Sequence, residues 1–152
     1  MPGESKSSPR EIQNYLGRIS GPLLDRIDLH VEVPAVKFRE MNAAPPGETS
    51  AQIRARVMAA RQRQQARFAN RPKVTCNARM GTRDLKAFCE LSEATASLLK
   101  MAMTEYNLSA RAYDRILKVA RTIADLAGAE AIDSDHISEA IQYRSLDRQL
   151  WG

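Results

Sequence analysis

Between Ser109 and Gly128 the apolar positions Tyr113, Ile116, Leu117, Ala120, Ile123, Ala124 and Ala127 recur at three- and four-residue spacing. That period predicts a helix with one buried face. Ser109 is placed to cap its start, and Gly128 sits just past its end. The same reasoning predicts helices from about Thr82 to Glu90, Ser92 to Tyr106 and Asp133 to Tyr143, the last with Ile137, Ala140 and Ile141 inward. A longer helix follows the Thr49–Gln52 capping box and runs to about Ala69. Its apolar stripe is thin: Ile53, Val57, Ala60 and Phe68. Arg54, Arg56, Arg61, Arg63 and Arg67 cover the remainder with no acid among them.

The first third of the chain reads differently. Residues 1–7 are small and polar, too poor in apolar surface to hold an ordered structure. Ser8, Pro9 and Glu11 then form the start of a short helix to about Ser20, which Gly21 and Pro22 break. From Ile27 to Val33 the pattern alternates: Ile27, Leu29, Val31 and Val33 face one way, Asp28, His30 and Glu32 the other, and Pro34 ends the run. This predicts a strand with His30 on its polar face. A strand needs neighbours for its backbone groups, and only Val74 to Cys76 looks extended elsewhere, so most of its sheet is expected to be missing. The stretch to Glu48, with Asn42, Pro45, Pro46 and Gly47, reads as a linker, and residues 70–81 read as a loop around Pro72. The predicted fold class is mainly α: a small helical bundle with one residual β-strand.

Composition changes this picture little. At 152 residues with 43% hydrophobic content, the chain has enough for one core and not for two. An excess of 23 Lys and Arg over 18 Asp and Glu gives a formal charge of +5, which suits a nucleic-acid or nucleotide partner and equally an ordinary basic protein. Cys76 and Cys89 are too few for a disulfide framework, and with no charged-then-apolar leader at the start the expected home is the cytoplasm. No apolar run approaches the roughly 18 residues that cross a bilayer.

The chemistry available is narrow. There is no Gly-x-x-x-x-Gly-Lys-Ser/Thr loop and no apolar strand ending in paired acids, so the chain by itself is expected not to hydrolyse ATP. Cys76, Cys89, His30 and His136 lack metal-ligand spacing, and no metal site is expected. Cys89 is expected to be a buried thiol and His136 to be solvent-exposed in the first turn of the last helix. Arg111 stands in the first turn of the Ser109 helix, where free amides and the positive dipole end favour an anion. Arg115 and Lys118 follow on the same face, with a solvated surface as the plainer alternative. Arg26 can form a local salt bridge with Asp25 or Asp28. Arg54, Arg61, Arg63 and Arg67 are candidate contacts for DNA phosphates, with a solvated basic helix as the alternative.

Two stretches carry a family resemblance. Residues 15–34, Tyr-Leu-Gly-Arg-Ile-Ser-Gly-Pro-Leu-Leu-Asp-Arg-Ile-Asp-Leu-His-Val-Glu-Val-Pro, resemble the magnesium-chelatase-like AAA+ ATPases, ComM branch. Asn77-Ala-Arg-Met80, residues 108–125 from Leu-Ser-Ala-Arg-Ala-Tyr-Asp-Arg to Ile-Ala-Asp, and Ala140-Ile-Gln-Tyr-Arg144 are similar to that family's lid domain. The resemblance implies that Arg26 is an arginine finger acting on a neighbouring subunit's ATP, with Arg18 a second candidate nearby. It also implies that Arg111 is the sensor-2 arginine at the γ-phosphate, with Arg115 as a further nucleotide-binding candidate.

On this resemblance, residues 8–34 are the last helix and strand of a truncated nucleotide-binding domain, 35–48 a linker, 49–148 the helical lid and 149–152 a tail. The intact protein is then expected to be an ATP- and Mg-dependent hexameric ring of like subunits acting on DNA, a branch-migration helicase of transformation. No cofactor and no membrane are expected for this fragment. The rival readings are a freestanding helical DNA-binding or adaptor module, against which the unpaired strand argues, and a magnesium chelatase subunit.

Overall fold

The computed structural model describes residues 8, 10, 11, 14, 23, 26–31, 33 and 47–144. Five α-helices are complete within them: α1 Ser50–Arg67, α2 Thr82–Phe88, α3 Glu93–Glu105, α4 Ala110–Ala127 and α5 Ser134–Gln142, with a single 3-10 turn at Asn77–Arg79. The mainly helical expectation holds. Local chemistry sets the ends. Thr49 and Gln52 close a reciprocal capping box on α1, Ser92 accepts from the Thr95 amide, Ser109 from the Ala112 amide, and Asp133 from the amides of Asp135 and His136. Ser8 and Glu11 make the same exchange ahead of helical residues 10, 11 and 14.

α4 ends in a Schellman motif. Gly128 adopts φ 78°, its amide bonds to the Asp125 carbonyl at 3.2 Å and the Ala129 amide to Ala124 at 2.8 Å. Asn107, at φ 47°, does the same for α3, with Leu108 donating to Met103.

α4 is the central post, touching α1, α2, the 3-10 turn and α5, while α3 joins the bundle mainly through α5. The reason lies in one ridge. Ala112, Ile116, Ala120 and Ala124 stand four residues apart and are all fully buried. Three of the four are alanine, and such small side chains let neighbouring helices approach closely. Leu99, Ile137, Ile141 and Leu117 fill the space around them, and Phe68 meets Phe88 edge-on with ring centroids 5.5 Å apart. Leu91 and Ile132 form an isolated parallel bridge, the one β pairing among the described residues.

Several expectations need correction. The described residues of the Ile27–Val33 segment form no strand, and neither does Val74–Cys76. The alternation persists only as exposure: Ile27, Leu29, Val31 and Val33 are 39–83% exposed, while His30 between them is buried at 5%. A period-2 pattern specifies a face, and without a sheet to receive it the apolar face stays in solvent. His136 sits in the first turn of its helix but is buried, because its Nδ1 accepts from the Asp133 amide at 3.1 Å. On α1, Ile53 and Val57 are about as exposed as Ile27, since α4 covers the stripe only from Ala60 onward. The predicted disordered end 1–7, the break at Gly21 and Pro22, Arg18, residues 34–46 of the linker and everything after residue 144 lie outside the described residues.

Candidate functional site

The N-terminal half of α4 holds the first group of predicted residues. Arg111 is exposed at the second helical position, in a first turn that contains no acid. Arg115, one turn on, is turned against the segment ahead of the bundle and pairs with Asp28. Lys118 donates to the Ala78 carbonyl at 3.2 Å, so it ties α4 to the 3-10 turn. Of the three basic positions on this face, Arg111 is the exposed one, while Arg115 and Lys118 are partly buried. Cβ atoms one turn apart on a helix lie about 6 Å from each other, so Arg111 stands next to the Arg115–Asp28 contact.

Arg26 lies two residues before Asp28. Asp28 is engaged by Arg115 and Arg26 is exposed; Asp25, the other local partner considered above, lies outside the described residues. Two more bonds hold this segment. The His30 amide donates to the Tyr143 carbonyl at 2.8 Å, and Arg144 donates to the Ile27 carbonyl. Arg144 is 1% exposed, the largest of the fully buried side chains. Motif resemblance placed it in the lid, but no local pattern marks a residue whose partner is a carbonyl 117 positions away.

The predicted phosphate-contact set on α1 divides. Arg54 and Arg63 are exposed, and Arg56, also exposed, is held by Glu48 at 2.7 and 3.0 Å. Arg61 is partly buried and donates to Gln64 at 3.3 Å. Arg67 points inward and leaves the set: both of its terminal nitrogens bond to Asp125, and it donates to Asn77 at 2.9 Å. This is the part of the structure that sequence reasoning missed. Asp125 has no exposed side-chain surface and also receives Asn77 at 2.8 Å and Arg121 at 3.2 Å. Arg121 in turn donates to the carbonyls of Glu130 and Ala129 at 2.7 and 2.8 Å.

Burial works to raise the Asp125 pKa, but the hydrogen bonds from Arg67 and Asn77 and the two guanidinium charges outweigh it, and the carboxyl is held below its usual value. Burial pulls the Arg121 pKa down, only partly offset by Asp125. The signal for this network was present as Arg67, Asn77, Arg121 and Asp125, but polar residues on a helix read first as surface.

Cys89 is buried as expected, and burial pushes its thiol up to about 11. Cys76 is partly exposed. Burial acts to raise its pKa, but bonds from the backbone amides of Arg79 and Ala78 and from Arg61 lower it overall. Among the described residues no three His, Cys, Asp or Glu side chains converge on a point, and no helix is long and apolar enough to cross a membrane.

Residues 47–144 match the family model described as magnesium chelatase, subunit ChlI C-terminal, and residues 2–41 match that of magnesium chelatase, subunit ChlI. The chain is 42% identical over 147 residues to competence protein ComM of Haemophilus influenzae and 40% identical over 147 residues to the uncharacterized protein YifB of Escherichia coli. Both alignments take in 96% of this chain and 28% of the relative. An uncharacterized Mycobacterium tuberculosis protein, Rv2897c, is 37% identical over 133 residues, 87% of this chain and 26% of its own length. The chain thus spans less than a third of the length of these relatives. With a helical bundle over residues 47–144 and an arginine-bearing segment docked on it, the chain belongs to the magnesium chelatase ChlI family, in its ComM-like branch.

Proposed function

We propose that this chain is the lid portion of an AAA+ ATPase ring of the ComM type, in which Arg26 reaches the ATP of a neighbouring subunit and Arg111 senses the γ-phosphate of a bound nucleotide. The observation that carries this reading is the Asp28–Arg115 contact, which brings the Arg26 segment against the helix whose first turn bears Arg111. Both arginines are exposed. A planar, permanently charged guanidinium on anchored backbone is suited to charge that builds on a transferring phosphoryl group. Arg111 and the open amides of the α4 terminus suit a phosphate oxygen. These residues fit a phosphate and not magnesium, since no carboxylates gather beside them among the described residues. The metal and the phosphate loop would come from the remainder of a protein of the relatives' length.

One relative is named for competence, and on that footing we place the work of the ring, a hexamer in this reading, on DNA as a helicase that migrates branched intermediates. Arg54 and Arg63 are then the α1 side chains available to phosphates. In the full-length protein, Arg26→Ala is expected to lower kcat by roughly 10³-fold with little change in the KM for ATP. Arg111→Ala is expected to weaken ATP binding. Mixing Arg26→Ala subunits with subunits disabled in the phosphate loop should restore hydrolysis, because each intact finger would serve its neighbour's intact loop. Unchanged kcat in the Arg26→Ala ring sinks the reading.

The second reading, a freestanding helical DNA-binding module, is favoured by one feature: residues 50–59 of α1 are exposed throughout and carry Arg54 and Arg56 without an acid. Tight, salt-sensitive duplex binding by this chain alone, indifferent to nucleotide when the rest of the protein is supplied, would select it.

A further inference from the structure

The segment that carries Arg26 is held by the helical bundle at three places, each close in sequence to Arg26. Arg144 donates to the carbonyl of Ile27, the next residue; Arg115 pairs with Asp28; and the Tyr143 carbonyl accepts the His30 amide at 2.8 Å. The three partners come from two elements, α4 and the end of α5. These two share the most extensive helix contact in the bundle. Backbone anchored on both the carbonyl and amide side, with a charged side chain clamped between, has little freedom to move apart from what anchors it.

We propose that Arg115 and Arg144 are positioning residues for Arg26: they fasten its segment to the lid, so that Arg26 and Arg111 travel as one body. This rests on the finger and sensor roles proposed above and adds a direction to them. A nucleotide met by Arg111 biases the lid's orientation, and the lid delivers or withdraws Arg26 at the next subunit's ATP. The bistable element is the lid as a whole, and the coupling runs through the Asp28 and Ile27 contacts.

The test uses Asp28→Asn, which removes a partly exposed ion pair and leaves the core intact. In the full-length protein it should lower kcat roughly fivefold, the size of one such pair, with the KM for ATP unchanged. The exchanged pair Asp28→Arg with Arg115→Asp should recover most of the loss. In an Arg26→Ala background Asp28→Asn should cause no further loss, because the contact acts only through Arg26. In the 152-residue chain, Arg144→Gln should speed hydrogen exchange at the His30 amide while the amides of Ala120 and Ala124 stay protected.

Full kcat in Asp28→Asn, failure of the exchanged pair, or an equal loss in the Arg26→Ala background would overturn the proposal while leaving Arg26 a finger. Full kcat in Arg26→Ala itself would remove the finger reading, and this proposal with it. Unchanged exchange at His30 in Arg144→Gln would show that the lid does not hold the segment.

Discussion

Asp125 is the residue on which most depends. Two guanidiniums, those of Arg67 and Arg121, converge on it with no exposed surface of its own. Asp125→Ala leaves both positive charges facing each other in the interior, and removing one partner of a buried charged cluster costs about 3–5 kcal/mol; chemical denaturation of the variant should read that loss. The pH dependence follows from the same geometry. The folded pKa of Asp125 is depressed, so its contribution is complete above the unfolded carboxylate value of about 4. It is lost as pH falls through the lower folded value. An Asp125→Asn variant should lack this acid-dependent part of the stability curve. The two thiols offer a second check at this scale. Burial holds the Cys89 thiol near 11, whereas amide and Arg61 contacts lower that of Cys76. Iodoacetamide at pH 8 should therefore alkylate Cys76 well before Cys89, as followed by mass spectrometry.

At the scale of elements, the helix ends are where single substitutions act. Ser109→Ala should cost about 1 kcal/mol by removing the acceptor for the Ala112 amide. Gly128→Ala should cost about 1–2 kcal/mol, since φ 78° is strained for any Cβ, and that Cβ would also stand 3.3 Å from Arg63. Thermal melts of the two variants measure both. This is also the scale at which the sequence was legible. Caps, breakers and a 3.6-residue apolar period act within a few residues, and α4 and α5 lie within one residue of their predicted bounds for that reason. The Ile27–Val33 segment was misread because period-2 alternation becomes a strand only with partners to pair with. His30 went with it, buried by the end of α5 rather than turned to solvent. Arg67 was misplaced for a related reason: nothing local distinguishes an arginine bonded to an aspartate 58 positions away from its exposed neighbours on the same helix. Of the candidate site, Arg26 and Arg111 were nominated by motif resemblance alone; the Asp28–Arg115 contact between their segments could not be, because a tertiary ion pair has no sequence period.

For the molecule as a whole, the bundle is closed around α4 on most sides and left open along α1. From Ser50 to Ala59 no residue of that helix is buried, a length of about 15 Å. Among the described residues, the Thr49–Gln52 box and the exposed Glu48–Arg56 pair support it locally. An isolated stretch this short is marginal in water, so its opening should be uncoupled from the unfolding of the core. Because the chain marks its surface and its interior with the same residue, that difference can be read with a protease. Trypsin under native conditions should cut after Arg54 and Arg56 long before it cuts after Arg67 or Arg121. The two latter sites should yield only at the rate at which the whole bundle opens. The arginines that make this protein basic thereby also record, in the order of their cleavage, how its stability is distributed.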